Sequence, residues 1–313
     1  MELDIITYEE LLDPSFNAKQ IEKPLLNKGI LGVSHIPQFE LKYKKYINVA
    51  RLFSQLNESI KKQYAPNLDS DSTGGYEIGV EWFKNEDGEW QVDAQKASYY
   101  ACVPDNPLNI WPTEINLKKA YLELGELIFA IGKKLLTKLG LNEEIDLNHD
   151  LLRGFGRMLH YQRPTDLSEK KDNWCGAHYD HGLFTGLTPA SYFKDNEEVE
   201  EPKEAGLYIL PHNSQHFEKV EIPHQDILLF QVGEFAQLLS HDRFTATKHM
   251  VKRAPAGIER FTYALFFSPA EKMSIKSASL LTKDLRYSEN QTAEGYLQYK
   301  DWDNASLKLY QAT

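Results

Sequence analysis

Ala177-His178-Tyr179-Asp180-His181-Gly182, followed by the apolar run Leu183-Phe184-Thr185-Gly186-Leu187, is the stretch around which this chain is organised. In an extended strand, side chains at i and i+2 share a face. His178 and Asp180 therefore point to one place, while Tyr179 and His181 point away. Alone, His-x-Asp is a spacing that chance supplies often, and a surface or structural pair is its ordinary meaning. Its setting adds weight. From Leu151 to Phe267, short β-like runs alternate with turn residues: Leu151 to Tyr161, Leu183 to Leu187, Gly206 to Leu210, Phe217 to Val220, Ile227 to Gln231, Arg243 to Val251 and Phe261 to Phe267. That texture predicts an antiparallel sandwich or jelly roll.

A second cluster lies downstream, Lys248-His249-Met250-Val251 and then Glu259-Arg260-Phe261-Thr262. His249 stands 71 residues beyond His178, far enough for the chain to cross a jelly roll and return. Two histidines and one carboxylate suit ferrous iron, because they cover one face of the metal and leave the other positions open. Tetrahedral zinc would favour cysteines or more histidines. Arg260 and Thr262 alternate with Phe261 and Tyr263, so they share a face. A buried arginine is costly unless paired, and a small carboxylate held by two parallel hydrogen bonds is a fitting partner. The plain alternative for Arg260 is a surface ion pair with Glu259.

Working outward, a short helix at Tyr8 to Leu12 and another from Asn17 to Asn27, carrying Pro24, precede a strand at Ile30 to Val33. A helix is predicted over Leu41 to Tyr64 from the spacing of Tyr43, Ile47, Ala50, Leu52, Phe53, Leu56 and Ile60. Asn67 to Gly75 reads as a loop. Tyr76 to Phe83 and Glu89 to Val92 read as a hairpin joined across Asp87-Gly88, and Ser98 to Val103 as a strand. Thr113 to Leu139 is the clearest helix, with Thr113 as its N-cap. There Leu117, Tyr121, Leu124, Ile128, Ile131 and Leu135 form one apolar stripe, and Gly140 ends it. Glu197 to Glu204 reads as a solvated insertion, and a helix is expected near Ala293 to Tyr299. The chain is expected to divide into an N-terminal helix and strand region (1–112), a scaffolding helix and loop (113–148), a core (149–269) and a C-terminal extension (270–313), all in one unit.

The bulk numbers set bounds. The 313 residues are 42% hydrophobic and 26% charged, an ordinary globular composition. The net charge of −11 argues against nucleic acid as a partner, since phosphate binding needs clustered lysine and arginine. Two cysteines, Cys102 and Cys175, do not form a disulfide framework. No run has the length of a membrane-spanning helix, and the start shows no secretory pattern. A cytoplasmic protein acting on a small molecule is expected; its oligomeric state is not legible.

His-x-Asp, a distant strand histidine and Arg-x-Thr about ten residues later together resemble the iron- and 2-oxoglutarate-dependent dioxygenases of the isopenicillin N synthase-like group. The resemblance extends to Asn109 to Pro112, to Arg157-Met158-Leu159-His160-Tyr161, to Val232-Gly233-Glu234, and to Gly29 to Pro37. It implies an α+β, mainly β fold: a double-stranded β-helix (jelly-roll) core with flanking helices, one of them a long scaffold. It implies His178, Asp180 and His249 as iron(II) ligands. Arg260 and Thr262 would bind the far carboxylate of 2-oxoglutarate, with Tyr161 adding a hydrogen bond, and dioxygen would be the oxidant. Hydroxylation, desaturation or cyclisation of a small organic substrate would follow. Two alternatives stay open: an iron oxidase of this fold that uses no 2-oxoglutarate, and a non-catalytic jelly roll that binds a metal or ligand. Three positions depart from the pattern. Leu159 replaces an asparagine, Met250 replaces an arginine, and Ser191 to Ala205 is longer than the group's norm, as a lid or as surface. His181 is expected outside the ligand set. His212 and His216 read as a turn rather than a metal pair, and Cys175 as an inert thiol near the site. Trp82, Trp90, Tyr99 and Tyr100 are expected in core or pocket wall.

Overall fold

A ten-stranded sheet carries most of the architecture in the computed structural model. The structure describes residues 1–66, 74–84, 90–92, 94–141, 152–163 and 173–310. From one edge to the other the path runs Ile5–Thr7, Ile30–Ser34, Leu228–Val232, Phe184–Leu187, Ile258–Pro269, Leu152–Tyr161, Lys96–Val103 and Gly75–Ile78. Only the first pair is parallel. Ser191–Lys194 pairs with the start of Ile258–Pro269 and hairpins with Glu197–Val199. A second sheet of four strands runs Glu218–Lys219, Gly206–Leu210, Lys248–Lys252 and Asn173–His178. This strand order is consistent with a double-stranded β-helix core.

Side-chain alternation along Ile258–Pro269 explains how the layers assemble. Phe261, Tyr263, Leu265 and Phe267 face one way and join the main apolar cluster with the helices Phe39–Ser54 and Leu117–Lys138. Tyr263 meets Tyr46 and Tyr121 edge-on, at 5.1 and 4.9 Å between ring centroids. The long helix can lie close only because it has a glycine there: a Cβ on Gly132 would sit 2.1 Å from the Phe267 ring. Arg260, Thr262, Ala264 and Phe266 face the other way and line a cavity whose opposite wall is the four-stranded sheet. Period-two patterning thus separates an apolar face from a chemical face on one strand.

Several expectations are corrected. The fold is not mainly β, because helix and strand occur in equal measure. The helix expected over Leu41 to Tyr64 is broken. Phe39–Ser54 ends at Gln55, and Glu58–Lys61 starts afresh behind Asn57, whose extended backbone suits a cap. The stripe does not continue, since Leu52 is exposed while Lys61 is buried against Glu58 and the Tyr76 ring. Thr113 caps nothing. The helix begins at Leu117 behind Asn116, and the Thr113 amide instead donates to the Tyr64 hydroxyl oxygen at 3.2 Å. The run Tyr76 to Phe83 splits at Gly79, whose φ of 68° ends the strand, into Gly75–Ile78 and Trp82–Lys84. Its Asp87-Gly88 turn lies outside the described residues. The C-terminal helix is Tyr299–Leu307 rather than Ala293 to Tyr299. No described helix is long and apolar enough to cross a membrane.

Candidate active site

His178 and His249 sit directly opposite each other on adjacent antiparallel strands. Such positions bring side chains within contact on one face, and the two imidazole centroids are 4.2 Å apart. Asp180 joins them from beyond the end of its strand, Asn173–His178, so the convergence expected from strand alternation is completed by a turn. That turn is clamped. The Glu234 amide donates to the Asp180 carbonyl at 2.8 Å and the Phe235 amide to the Gly182 carbonyl at 2.9 Å. Gly233 must be glycine, since a Cβ would lie 2.3 Å from the Gly182 carbonyl oxygen. The C-terminal extension adds two contacts: Trp302 Nε1 donates to the His181 carbonyl, and the His181 ring pairs with Asp303, both at 2.9 Å. His181 therefore points out of the site, as expected, held there by Asp303 and not by strand alternation, since the strand ends at His178.

One ligand-capable atom from each of His178, Asp180 and His249 lies within 4.8 Å of the others, and these three form the group with metal-binding geometry found among the described residues. The tautomers suit ligation. His178 Nδ1 lies 2.8 Å from the Gly176 carbonyl and His249 Nδ1 lies 3.1 Å from that of Thr247, so each Nδ1 carries the hydrogen. Each Nε2 then carries the lone pair, 3.7 and 3.8 Å from Asp180 Oδ1, and that of His249 also lies 3.2 Å from Gln231 Nε2. Burial pushes both imidazoles below their usual range, which keeps them neutral. Burial alone would raise the Asp180 carboxyl. The two imidazoles and the hydrogen bonds from Thr185 and Gln231 outweigh it and hold the group below the usual carboxylate range.

Thr185 and Gln231 were not legible as site residues. Thr185 Oγ1 donates to Asp180 Oδ2 at 2.5 Å and Gln231 Nε2 donates to the same oxygen at 2.6 Å. Both are almost fully buried, and Gln231 is the one polar residue in the strand Leu228–Val232. A lone amide in an apolar strand was the available signal. With Oδ2 taken, Oδ1 is left for a metal. Gln231→Leu is expected to weaken iron binding by roughly tenfold, the low end for partners that orient a ligand. Anaerobic iron titration measures it, and unchanged affinity would mean that Gln231 merely fills space.

At the other end of the cavity, Arg260 is 6% exposed. Glu259 does not pair with it. It faces the opposite side of the strand, where it meets His160 at 2.9 Å and Arg163 at 3.2 Å. The Arg260 guanidinium lies over the Tyr161 ring at 5.1 Å, and Tyr161 stacks on Trp174. Nε donates to the Tyr192 hydroxyl at 3.3 Å, while Nη1 is buried without a hydrogen-bond partner. Thr262 lines the same cavity, its hydroxyl donating to the Thr188 carbonyl at 3.0 Å. Leu159 lies between Ser98 and Thr262 in register, an apolar patch in the wall.

The wall beside His178 is charged. Glu81 bridges Lys96, at 2.6 Å, and Arg157, and its carboxyl stays ionised because these two cations outweigh burial. Cys175 lies between Lys96 and His178, 3.7 Å from Lys96 Nζ and 3.8 Å from His178 Nδ1. Neither Cys102 nor Cys175 is in a disulfide. His212 Nδ1 contacts the Leu26 carbonyl and belongs to no metal group among the described residues. Tyr99 is core, stacked on Trp111, whereas Tyr100 donates to Glu81.

No family model matches the chain. It is similar to 1-aminocyclopropane-1-carboxylate oxidase homolog 9 from Arabidopsis thaliana, 27% identical over 229 residues that make up 70% of this chain and 55% of that protein. The chain thus spans about half the length of the curated relatives it matches. Among solved structures, it superposes on a 2OG-Fe(II) oxygenase family protein from Caulobacter crescentus with a TM-score of 0.72 and 19% identity, covering 98% of each chain. It superposes equally on Neurospora crassa T7H in complex with alpha-KG, with a TM-score of 0.72, 17% identity, and coverage of 98% of this chain and 96% of that one. The overall fold is therefore that of these solved oxygenases, and within it the chain brings together a His-His-Asp donor set.

Proposed function

We propose that this chain is a non-haem iron oxygenase that couples oxidative decarboxylation of 2-oxoglutarate to hydroxylation, desaturation or cyclisation of a small organic substrate. One observation carries this reading: a three-donor face and a buried arginine with an unpartnered nitrogen line a single cavity. The residues fit the implied groups. Two neutral imidazoles and one ionised carboxylate form a facial donor set of the kind ferrous iron takes. The unpaired Arg260 Nη1 awaits an anion, because a buried guanidinium without one is costly.

In this reading His178, Asp180 and His249 hold iron(II), and the two sheets close around them as a jelly roll. Arg260 binds the far carboxylate of 2-oxoglutarate, Thr262 donates to it once its hydroxyl turns from the Thr188 carbonyl, and Tyr161 lines that end. Iron(II) and 2-oxoglutarate, when bound, would supply a site for dioxygen and two of the four electrons that its reduction needs, the other two coming from the substrate carbon–hydrogen bond. Thr185 and Gln231 keep Asp180 Oδ1 turned to the metal position. The apolar residues Leu159, Leu187, Leu229 and Val251 exclude water between the two ends. Arg157, paired with Glu81, gives the cavity a polar wall. The protein acts in the cytoplasm on a small molecule.

A second reading, an iron oxidase without 2-oxoglutarate, is favoured by Leu159, which removes a polar contact from the cosubstrate's surroundings. One experiment separates the two. Under anaerobic conditions the iron-loaded protein is titrated with 2-oxoglutarate, and then exposed to oxygen. A visible charge-transfer band followed by stoichiometric succinate supports the first reading. Absence of both, with substrate-dependent oxygen uptake, replaces it with the second.

A further inference from the structure

The hairpin of Ser191–Lys194 and Glu197–Val199, with the turn that follows it, is not a detached surface insertion. Its register sets Tyr192 directly opposite Arg260, and Tyr192 is 1% exposed. The Tyr192 hydroxyl accepts from Arg260 Nε at 3.3 Å and donates to Glu201 Oε2 at 3.0 Å. The other Glu201 oxygen pairs with Lys219 Nζ at 2.8 Å, and Lys219 also donates to the carbonyls of Pro202 and Lys203. Arg260, Tyr192, Glu201 and Lys219 thus form one chain from the cavity to the surface, and Glu201 itself lines the cavity. Gly206 leaves room for that carboxylate, since a Cβ there would be 2.8 Å from Glu201 Oε1.

Resting on the 2-oxoglutarate reading above, we infer that Tyr192 and Glu201 set cosubstrate affinity, Tyr192 as the positioning residue that aims Arg260 and Glu201 as the charge that limits its pull. The physical case has two parts. A guanidinium on a long side chain has many rotamers. Fixing Nε from one side and stacking the plane on Tyr161 leaves the Nη edge directed along one line, so the fork meets a carboxylate without further ordering. Protein supplies Arg260 with a neutral phenol rather than a carboxylate, so the cation is oriented yet not neutralised. Glu201, one hydroxyl farther away, is the nearest fixed anion in that chain. It repels an incoming dianion, and Lys219 offsets that repulsion only in part.

Two conservative changes therefore act in opposite directions. Tyr192→Phe keeps the ring and removes the hydroxyl. It leaves Nε unsatisfied, and 2-oxoglutarate binding is expected to weaken by about tenfold, the effect of losing one hydrogen bond to a charged group. Glu201→Gln keeps a hydrogen-bond acceptor for Tyr192 and removes the charge. Binding is expected to tighten by about two- to fivefold, the size of a partly screened interaction at this separation. The readout is calorimetric titration of 2-oxoglutarate into anaerobic, iron-loaded wild type and both variants, with iron affinity and melting temperature measured in parallel. A merely structural hairpin would shift both variants the same way, along with their melting temperatures. Opposite shifts at constant iron affinity support the inference. Equal affinity in wild type and Tyr192→Phe, or weaker binding in Glu201→Gln, overturns it while leaving the oxygenase reading intact. No binding of 2-oxoglutarate to wild type overturns both.

Discussion

Asp180→Ala is expected to abolish turnover and to weaken iron binding by at least about a hundredfold, about 3 kcal/mol, because even partners that only orient a ligand are worth ten- to a hundredfold. Asp180 is the sole anion of the three donors, and its Oδ1 faces both imidazole Nε2 atoms. Replacing it removes the charge that balances a divalent ion and leaves two neutral histidines. The fold should not suffer in proportion. Without metal, the carboxylate is a buried anion held by two hydrogen bonds, from Thr185 and Gln231. Burial of such a group is costly in itself. The metal-free melting temperature of Asp180→Ala is accordingly expected to stay near that of wild type, while addition of iron, which raises the wild-type value by preferential binding to the native state, leaves the variant unmoved. Thermal melts with and without anaerobic iron test this directly. A variant that still gains stability from iron would show that the metal binds elsewhere.

Arg260→Leu is the second large effect. Truncating one partner of a buried charge pair costs about 2–5 kcal/mol in binding, so 2-oxoglutarate affinity is expected to fall by roughly a hundredfold or more. Iron affinity should hold, because Arg260 is at the far end of the cavity from the donors. Stability is expected to rise rather than fall. Arg260 is buried with Nη1 unpartnered, and an uncompensated buried charge destabilises the free protein. Arg260→Lys should not restore binding, since an ammonium cannot present the planar fork. Spectral titration with 2-oxoglutarate gives the affinity, and a melt gives the stability. Retained cosubstrate affinity in Arg260→Leu would remove the anchor from the proposed function, and a large drop in melting temperature would recast Arg260 as a structural residue.

The chain announced part of this plainly. The strands of the core were legible because turn residues punctuate short apolar runs, and because Phe261, Tyr263, Leu265 and Phe267 alternate with Arg260, Thr262 and Ala264. The long helix was legible from its stripe, though its start was not, since Thr113 is a good cap by type, yet its amide is engaged by Tyr64 and the helix begins at Leu117. The helix content was underestimated because short helices such as Leu285–Ser288 have too few residues to show a period.

By itself, the sequence determined which residue types were available for chemistry and on which face of a strand each would lie. His178, Asp180, His249, Arg260 and Thr262 carry chemical identity and local periodicity, and both are properties of short segments. Tertiary structure alone decided who meets whom. Gln231 and Thr185 lie 51 and 5 residues from the Asp180 they orient. Tyr192 lies 68 residues from Arg260, and Glu201 comes to it from a stretch that composition describes as solvated surface. Those pairings depend on cross-strand register and on a clamped turn. Register is fixed by how whole sheets pack, and no local window contains that information.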